Sequence, residues 1–157
     1  MGTLVVNLQS LEFALRAFLH NDEIGWQKKE TQPEFLEGIA EGDEVPDNAF
    51  TNFDTLGQLI EKYNKLVGST NSEFSVDADL KNTRDALAHG RIASRSPSHD
   101  EPQKLVKYDK PSNGKVSVSH CVVLSKGWFD KEIKRIYEAV QKVSKANDTF
   151  WQKMNSA

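Results

Sequence analysis

Apolar residues at helical spacing open the chain. Leu4, Leu8, Leu11, Leu15 and Phe18 recur every three or four positions, so they share one face of a helix predicted over 4–19. Thr3 suits its N-cap, and His20, Asn21 and Asp22 break the stripe at its end. A second stripe, Leu56, Ile60, Tyr63 and Val67, widened by Leu59 and Leu66, predicts a helix over 54–67. Asn52 or Asp54 caps it and Gly68 stops it. Residues 76–93 read as a third helix, with Ser75 at its start and Val76, Leu80 and Leu87 as core contacts. Asp77 and Asp79 place negative charge in its first turn, where the backbone dipole favours it.

After Pro97 the period shortens to two. Residues 104–108 and 115–124 alternate like strands around Lys110-Pro111-Ser112-Asn113-Gly114, a turn signal, so a β-hairpin is predicted over about 104–124. Ser125 then caps a long last helix over 127–154. Its apolar line is Phe129, Ile133, Ile136, Val140, Val143, Phe150 and Met154, with Tyr137 and Trp151 beside it. Residues 21–52 are acidic and interrupted by Gly25, Pro33, Gly38, Gly42 and Pro46. They predict a long loop containing a short helix over 34–40, pinned by Trp26 and Phe35. The expected fold is mainly α: one domain over 1–157, a four-helix-bundle-like core with an appended β-hairpin before the long C-terminal helix.

Composition narrows the setting. A chain of 157 residues can bury a core without disulfides or a structural metal. The single cysteine, Cys121, rules out an internal disulfide and a Cys-based zinc site and fits a reducing compartment. The first residues lack a basic leader and a small-residue cleavage site, and Val6 stands where a myristoylation signal needs Ser or Thr. No apolar run approaches the roughly 20 residues that span a bilayer. A cytoplasmic location without a membrane partner is expected. The net charge of −3 hides an asymmetry. Residues 1–80 hold 5 Lys+Arg against 15 Asp+Glu, and residues 81–157 hold 15 against 8. A positive face would suit an anionic ligand such as RNA; the plainer reading is that the lysines of the last helix are solvated.

The candidate chemistry lies in Asn82-Thr83-Arg84-Asp85-Ala86-Leu87-Ala88-His89-Gly90. Asp85 lies four residues before His89, close enough on a helix to accept a hydrogen bond from the imidazole. Gly90 costs about 1 kcal/mol inside a helix, which points to a close approach by another backbone. The run Arg84, Asp85, Ala86-Leu87-Ala88, His89 resembles the signature of the HEPN superfamily: Arg, a polar residue, three more residues, then His. The trailing Ala-His-Gly is also common in that family.

The resemblance implies a helical bundle that works as a homodimer and cleaves RNA without a metal or other cofactor. Many members serve in toxin–antitoxin, phage-defence or RNA-processing systems; others are silent and bind RNA or a partner protein. The hairpin and the acidic loop would be elaborations. Five residues apart, Arg84 and His89 are about 140° apart around a helix. Two copies of one helix facing each other across a twofold axis would relax that demand. Thr83, Ala86 and Gly90 supply a small-residue track for such an approach.

In this reading His89 takes the proton of an RNA 2′-OH, since an imidazole titrates near neutral pH. Arg84 steadies the charge on the phosphoryl oxygens, and Asp85 orients the imidazole. Asn82, Arg91 and Arg95 are candidate RNA contacts, although Arg91 and Arg95 fit a solvated surface equally well. His20, His99 and His120 have no metal-site spacing. Trp128, Phe129, Phe150 and Trp151 read as core or dimer contacts rather than stacking platforms. Phosphate-binding loops, a Gly-x-Ser-x-Gly elbow and EF-hand spacing are missing. The competing expectations are a silent bundle that binds RNA, an antitoxin or a regulatory protein, and a dimer in which Arg84 and His89 merely satisfy each other's contacts.

Overall fold

The stripe of the first helix is buried along its whole length. Leu4, Leu8, Leu11, Leu15 and Phe18 are all 6% exposed or less, on a helix α1 that runs over Gly2–Glu23. Thr3 is thus inside the helix rather than its cap. The helix also outlasts its expected end, because the stop signal is Gly25. The Gly25 N–H donates to the Asp22 carbonyl (3.0 Å) and the Trp26 N–H to the Asn21 carbonyl (2.8 Å). Gly25 sits at φ +66°. That pair of bonds around a left-handed glycine is the Schellman stop.

The computed structural model describes residues 1–27, 36–68, 71–94 and 102–156. After α1 come α2 (Leu56–Gly68), a 3-10 turn (Ser72–Phe74), α3 (Leu80–His89), strands β1 (Arg91–Ala93), β2 (Lys104–Tyr108) and β3 (Val118–Val123), and α4 (Lys126–Asn155). The chain is therefore mainly helical, with a three-stranded antiparallel sheet ordered β1-β2-β3 before the C-terminal helix. Among the described residues, no helix is long and apolar enough to cross a membrane. The residues group into two compact units, 1–8 with 79–137 and 9–78 with 138–157.

In the second of these, Phe18 is an aromatic hub. Its ring meets Tyr63 at 4.8 Å, Trp26 at 5.1 Å and Phe150 at 5.2 Å, each edge-on, the arrangement that aromatic quadrupoles favour. Helix α2 buries Leu56, Leu59, Ile60, Tyr63 and Val67 as the stripe requires. Its cap is neither Asn52 nor Asp54. Gln58 N–H donates to Thr55 Oγ1 (3.4 Å) while Thr55 N–H donates to Gln58 Oε1 (2.8 Å), the reciprocal capping box that Thr-x-x-Gln encodes. Trp26 does anchor the start of the acidic segment, being 3% exposed. A second anchor is Arg16, which donates to the carbonyls of Ala49 (2.7 Å) and Asp54 (3.0 Å) and to Asn52 Oδ1 (3.0 Å). Glu34 and Phe35 lie outside the described residues, and the short helix expected over 34–40 does not continue past them: from residue 37 to 40 the chain is in turns and irregular structure.

Tyr63 is fully buried and donates its hydroxyl to the Phe74 carbonyl at 3.0 Å. Burial pushes the phenol well above its ordinary range, because the charged form has no water there. The neutral phenol is the form the fold favours, so this contribution is complete below the unfolded value of about pH 10 and is lost as pH rises beyond it. Tyr63→Phe should lower stability at pH 7 by about 1 kcal/mol, by orphaning a carbonyl. It should also flatten the fall in stability that urea melts of the wild type should show above pH 10.

In the other unit, the third helix is shorter than its periodicity suggests. Residues 76–79 precede it, and Arg91–Ala93 leave it to form β1, paired with β2 in the register Arg91↔Val106 and Ala93↔Lys104. Gly90 makes the change of direction. It takes an extended conformation (φ −74°, ψ 165°) while its N–H still donates to the Ala86 carbonyl at 2.7 Å. A side chain there would collide with the Ala86 carbonyl oxygen and lie 2.9 Å from Leu105 Cδ1. The glycine thus permits contact with its own helix end and a strand, rather than with a second helix. Gly90→Ala should cost about 2 kcal/mol through overpacking against backbone, read as a lower urea midpoint.

The hairpin forms as its turn chemistry demands. Asn113 and Gly114 both take positive φ (51° and 71°), and Ser112 and Lys115 exchange backbone hydrogen bonds of 2.8 and 3.0 Å. This is the two-residue turn that Asn-Gly favours. The register shifts between Lys107 and Tyr108, a local irregularity in β2. Ser125 caps α4 through its hydroxyl, which accepts from the Trp128 N–H at 3.1 Å. The buried line of α4 is Glu132, Ile136, Ala139, Val143 and Ala146, so Tyr137 and Met154 are exposed instead (59% and 55%).

Candidate functional site

Helix α3 turns Leu80, Thr83 and Ala86 inward and leaves the motif residues accessible. Thr83 donates its hydroxyl to Glu132 Oε2 at 2.7 Å, and Glu132 also accepts two bonds from Arg135 Nη1 (2.7 and 2.9 Å). Glu132 is only 3% exposed, so this network clamps α3 to α4 one residue before Arg84. The small-residue track of Thr83, Ala86 and Gly90 is therefore used within the chain itself and is not offered to a second copy. The outward surface of α3 consists of Lys81, Asn82, Arg84, Asp85, Ala88 and His89, exposed or half-exposed.

Arg84 and Asp85 form one cluster. Arg84 Nη1 lies 3.5 Å from Asp85 Oδ1, and Lys107 Nζ of β2 lies 3.5 Å from Asp85 Oδ2. Asp85 thus sits between two cations, and among the described residues no hydrogen bond joins it to His89. At 39–40% exposure the Arg84–Asp85 pair contributes about 0–1 kcal/mol; the Arg84 guanidinium keeps donors to spare. Asn82 is used at the helix start, donating its backbone N–H to the Asp79 carbonyl (2.9 Å) and its amide to Asp79 Oδ1 (3.3 Å).

His89 belongs to a second grouping. It ends α3, and Gly90 carries the chain directly into Arg91. Both side chains line a cleft of about 410 Å³ with Tyr108, Asp109, Pro111 and Val116. The Arg91 guanidinium carbon lies 5.9 Å from the Tyr108 ring centroid, within cation–π range. The structure so brings together Arg84 with Asp85, and His89 with Arg91. Arg95 lies outside the described residues.

Lys107 and Tyr108 were not among the residues the sequence singled out. Strand alternation placed them in β2, but their proximity to α3 depends on β1, whose residues extend the helical period of α3. Glu132 left one faint trace: an acidic residue four before Ile136, on the inner line of an amphipathic helix. Among the described residues, no three His, Cys, Asp or Glu side chains gather closely enough to hold a metal ion. No family model, no curated protein and no solved structure matches this chain.

Proposed function

We propose that this chain is a HEPN-like, metal-independent endoribonuclease whose helices form a bundle core and whose active form is a homodimer, in the manner of a toxin or phage-defence nuclease. The observation that carries the reading is the accessibility of both motif residues. The inward face of α3 is spent on Leu80, Thr83 and Ala86, while Arg84 and His89 stay open to substrate and to a second copy. The face carrying Asn82, Asp85, Ala88 and His89 is the one that would meet its twin across the twofold axis.

His89 takes the proton from a 2′-OH. The resulting alkoxide attacks the adjacent phosphorus, and the bond to the 5′-oxygen breaks. Arg84 offers the phosphoryl oxygens a planar pair of donors. The leaving oxygen needs a proton, and the imidazole of the second copy is the donor a dimer supplies. The products end in a 2′,3′-cyclic phosphate and a 5′-hydroxyl. Sedimentation equilibrium should give twice the 17.7 kDa chain mass. An RNA strand should be cut while DNA of the same sequence is spared, since DNA lacks the nucleophile. A monomer, or equal cutting of DNA, contradicts the proposal.

One observation favours a second reading, a silent module that binds RNA or a regulatory protein. Asp85, the residue expected to orient the imidazole, is held by Arg84 and Lys107. A gel shift at rising salt separates the two kinds of partner, because phosphate contacts weaken as salt is added.

A further inference from the structure

We propose that the cleft between the end of α3 and the β2–β3 hairpin is a nucleobase subsite, in which the Tyr108 ring stacks one unpaired base of single-stranded RNA beside His89. Tyr108 remains 41% exposed although a guanidinium lies over its ring. It follows a break in the strand register, a device that re-aims a side chain out of the regular pleat. Pro111 and Val116, the latter 51% exposed, give the cleft apolar lining.

The charges select a base over a bare phosphate. Arg91 and Asp109 both line the cleft. A phosphate would meet Arg91 but be repelled by the Asp109 carboxylate. A base is neutral, apolar on its faces and carries N–H donors on its edge, so it suits the ring, the apolar lining and the carboxylate together. Arg91 then meets the sugar–phosphate backbone that leads to His89, with Lys110 and Lys115 exposed on the same hairpin. The volume of about 410 Å³ falls within the range of small-ligand sites, about 300–1,000 Å³. A duplex keeps its base faces stacked inside, so the substrate class is single-stranded RNA. The inference rests on the reading of His89 as the group that meets RNA.

The test is fluorescence anisotropy of the full chain with a fluorescein-labelled single strand of about 12 nucleotides. The strand is fully 2′-O-methylated so that it cannot be cleaved, and a duplex of the same sequence is the control. Tyr108→Ala and Tyr108→Ile should each weaken single-strand binding about tenfold, while Tyr108→Phe and Tyr108→Trp stay within about threefold and duplex binding is unchanged. The isoleucine variant suits a strand, so it reads the same loss should the alanine variant unfold the hairpin. Arg91→Ala should reduce the salt slope by about one. Unchanged affinity in Tyr108→Ala or Tyr108→Ile, equal losses in Tyr108→Phe, or no binding by the wild type overturns the subsite. Binding with the aromatic pattern but without cleavage of ordinary RNA keeps the subsite and removes the nuclease. Cleavage with Tyr108→Ala binding unchanged does the reverse.

Discussion

Replacing His89 with alanine should reduce RNA cleavage by about 10²–10⁴-fold, the usual contribution of a positioned acid–base group. The melting temperature should hardly move. The imidazole is exposed at the last position of α3, lines an open cleft and has no role in the buried face of Leu80, Thr83 and Ala86. Arg84→Ala should lose about 10²–10³-fold, as removal of a charge-stabilising donor does elsewhere. Arg84→Lys should recover only part of this, since an ammonium cannot reproduce the fork. The stability effect of either arginine change is within about 1 kcal/mol, because the Arg84–Asp85 pair is half-exposed. Rates and melting curves on the same samples separate lost chemistry from lost fold.

The second large effect falls on Glu132. Its carboxylate is buried, accepts the Thr83 hydroxyl and is held twice by Arg135. Glu132→Ala removes the carboxylate that holds the Arg135 guanidinium and leaves a buried hydroxyl without its acceptor. The expected loss is about 3 kcal/mol, the lower end for a broken buried pair, because Arg135 keeps 28% of its side chain in solvent and can turn to water. Glu132→Gln preserves the acceptor for Thr83 and should lose only about 1–2 kcal/mol. Urea denaturation at pH 7 checks both. Glu132 touches no substrate in this account; it positions α3, so cleavage should fall in Glu132→Ala together with stability and recover in Glu132→Gln.

Strong periodicity made the helices legible. The five-residue stripe of α1 and the stripe of α2 needed only a spacing rule, and Asn113-Gly114 announced its own turn. What escaped the pattern were places where a tertiary contact outweighs a local signal. Residues 91–93 extend the helical period of α3, yet Gly90 and the pairing with β2 pull them into a strand. That single change carries Arg91 from a helix face to the cleft beside His89 and brings Tyr108 into the site. On α4 the apolar line finds Ile136 and Val143, both buried, but large apolar residues draw attention away from the other buried positions, Ala139, Ala146 and Glu132. Thr83, Ala86 and Gly90 were read as a track for a second helix because small residues mark close approach without naming the neighbour; their neighbours lie in the same unit. The chemistry of the site was legible only as a motif, since side-chain partners such as Lys107 on Asp85 depend on the sheet.

RNA incubated with the purified wild-type chain in EDTA and then subjected to end-group analysis reports the chemistry of His89 and Arg84 itself. The wild type should yield fragments bearing 2′,3′-cyclic phosphate and 5′-hydroxyl ends, and both His89→Ala and Arg84→Ala should lose them. Intact RNA with the wild type, or the same fragments at undiminished rate from either variant, would contradict that chemistry.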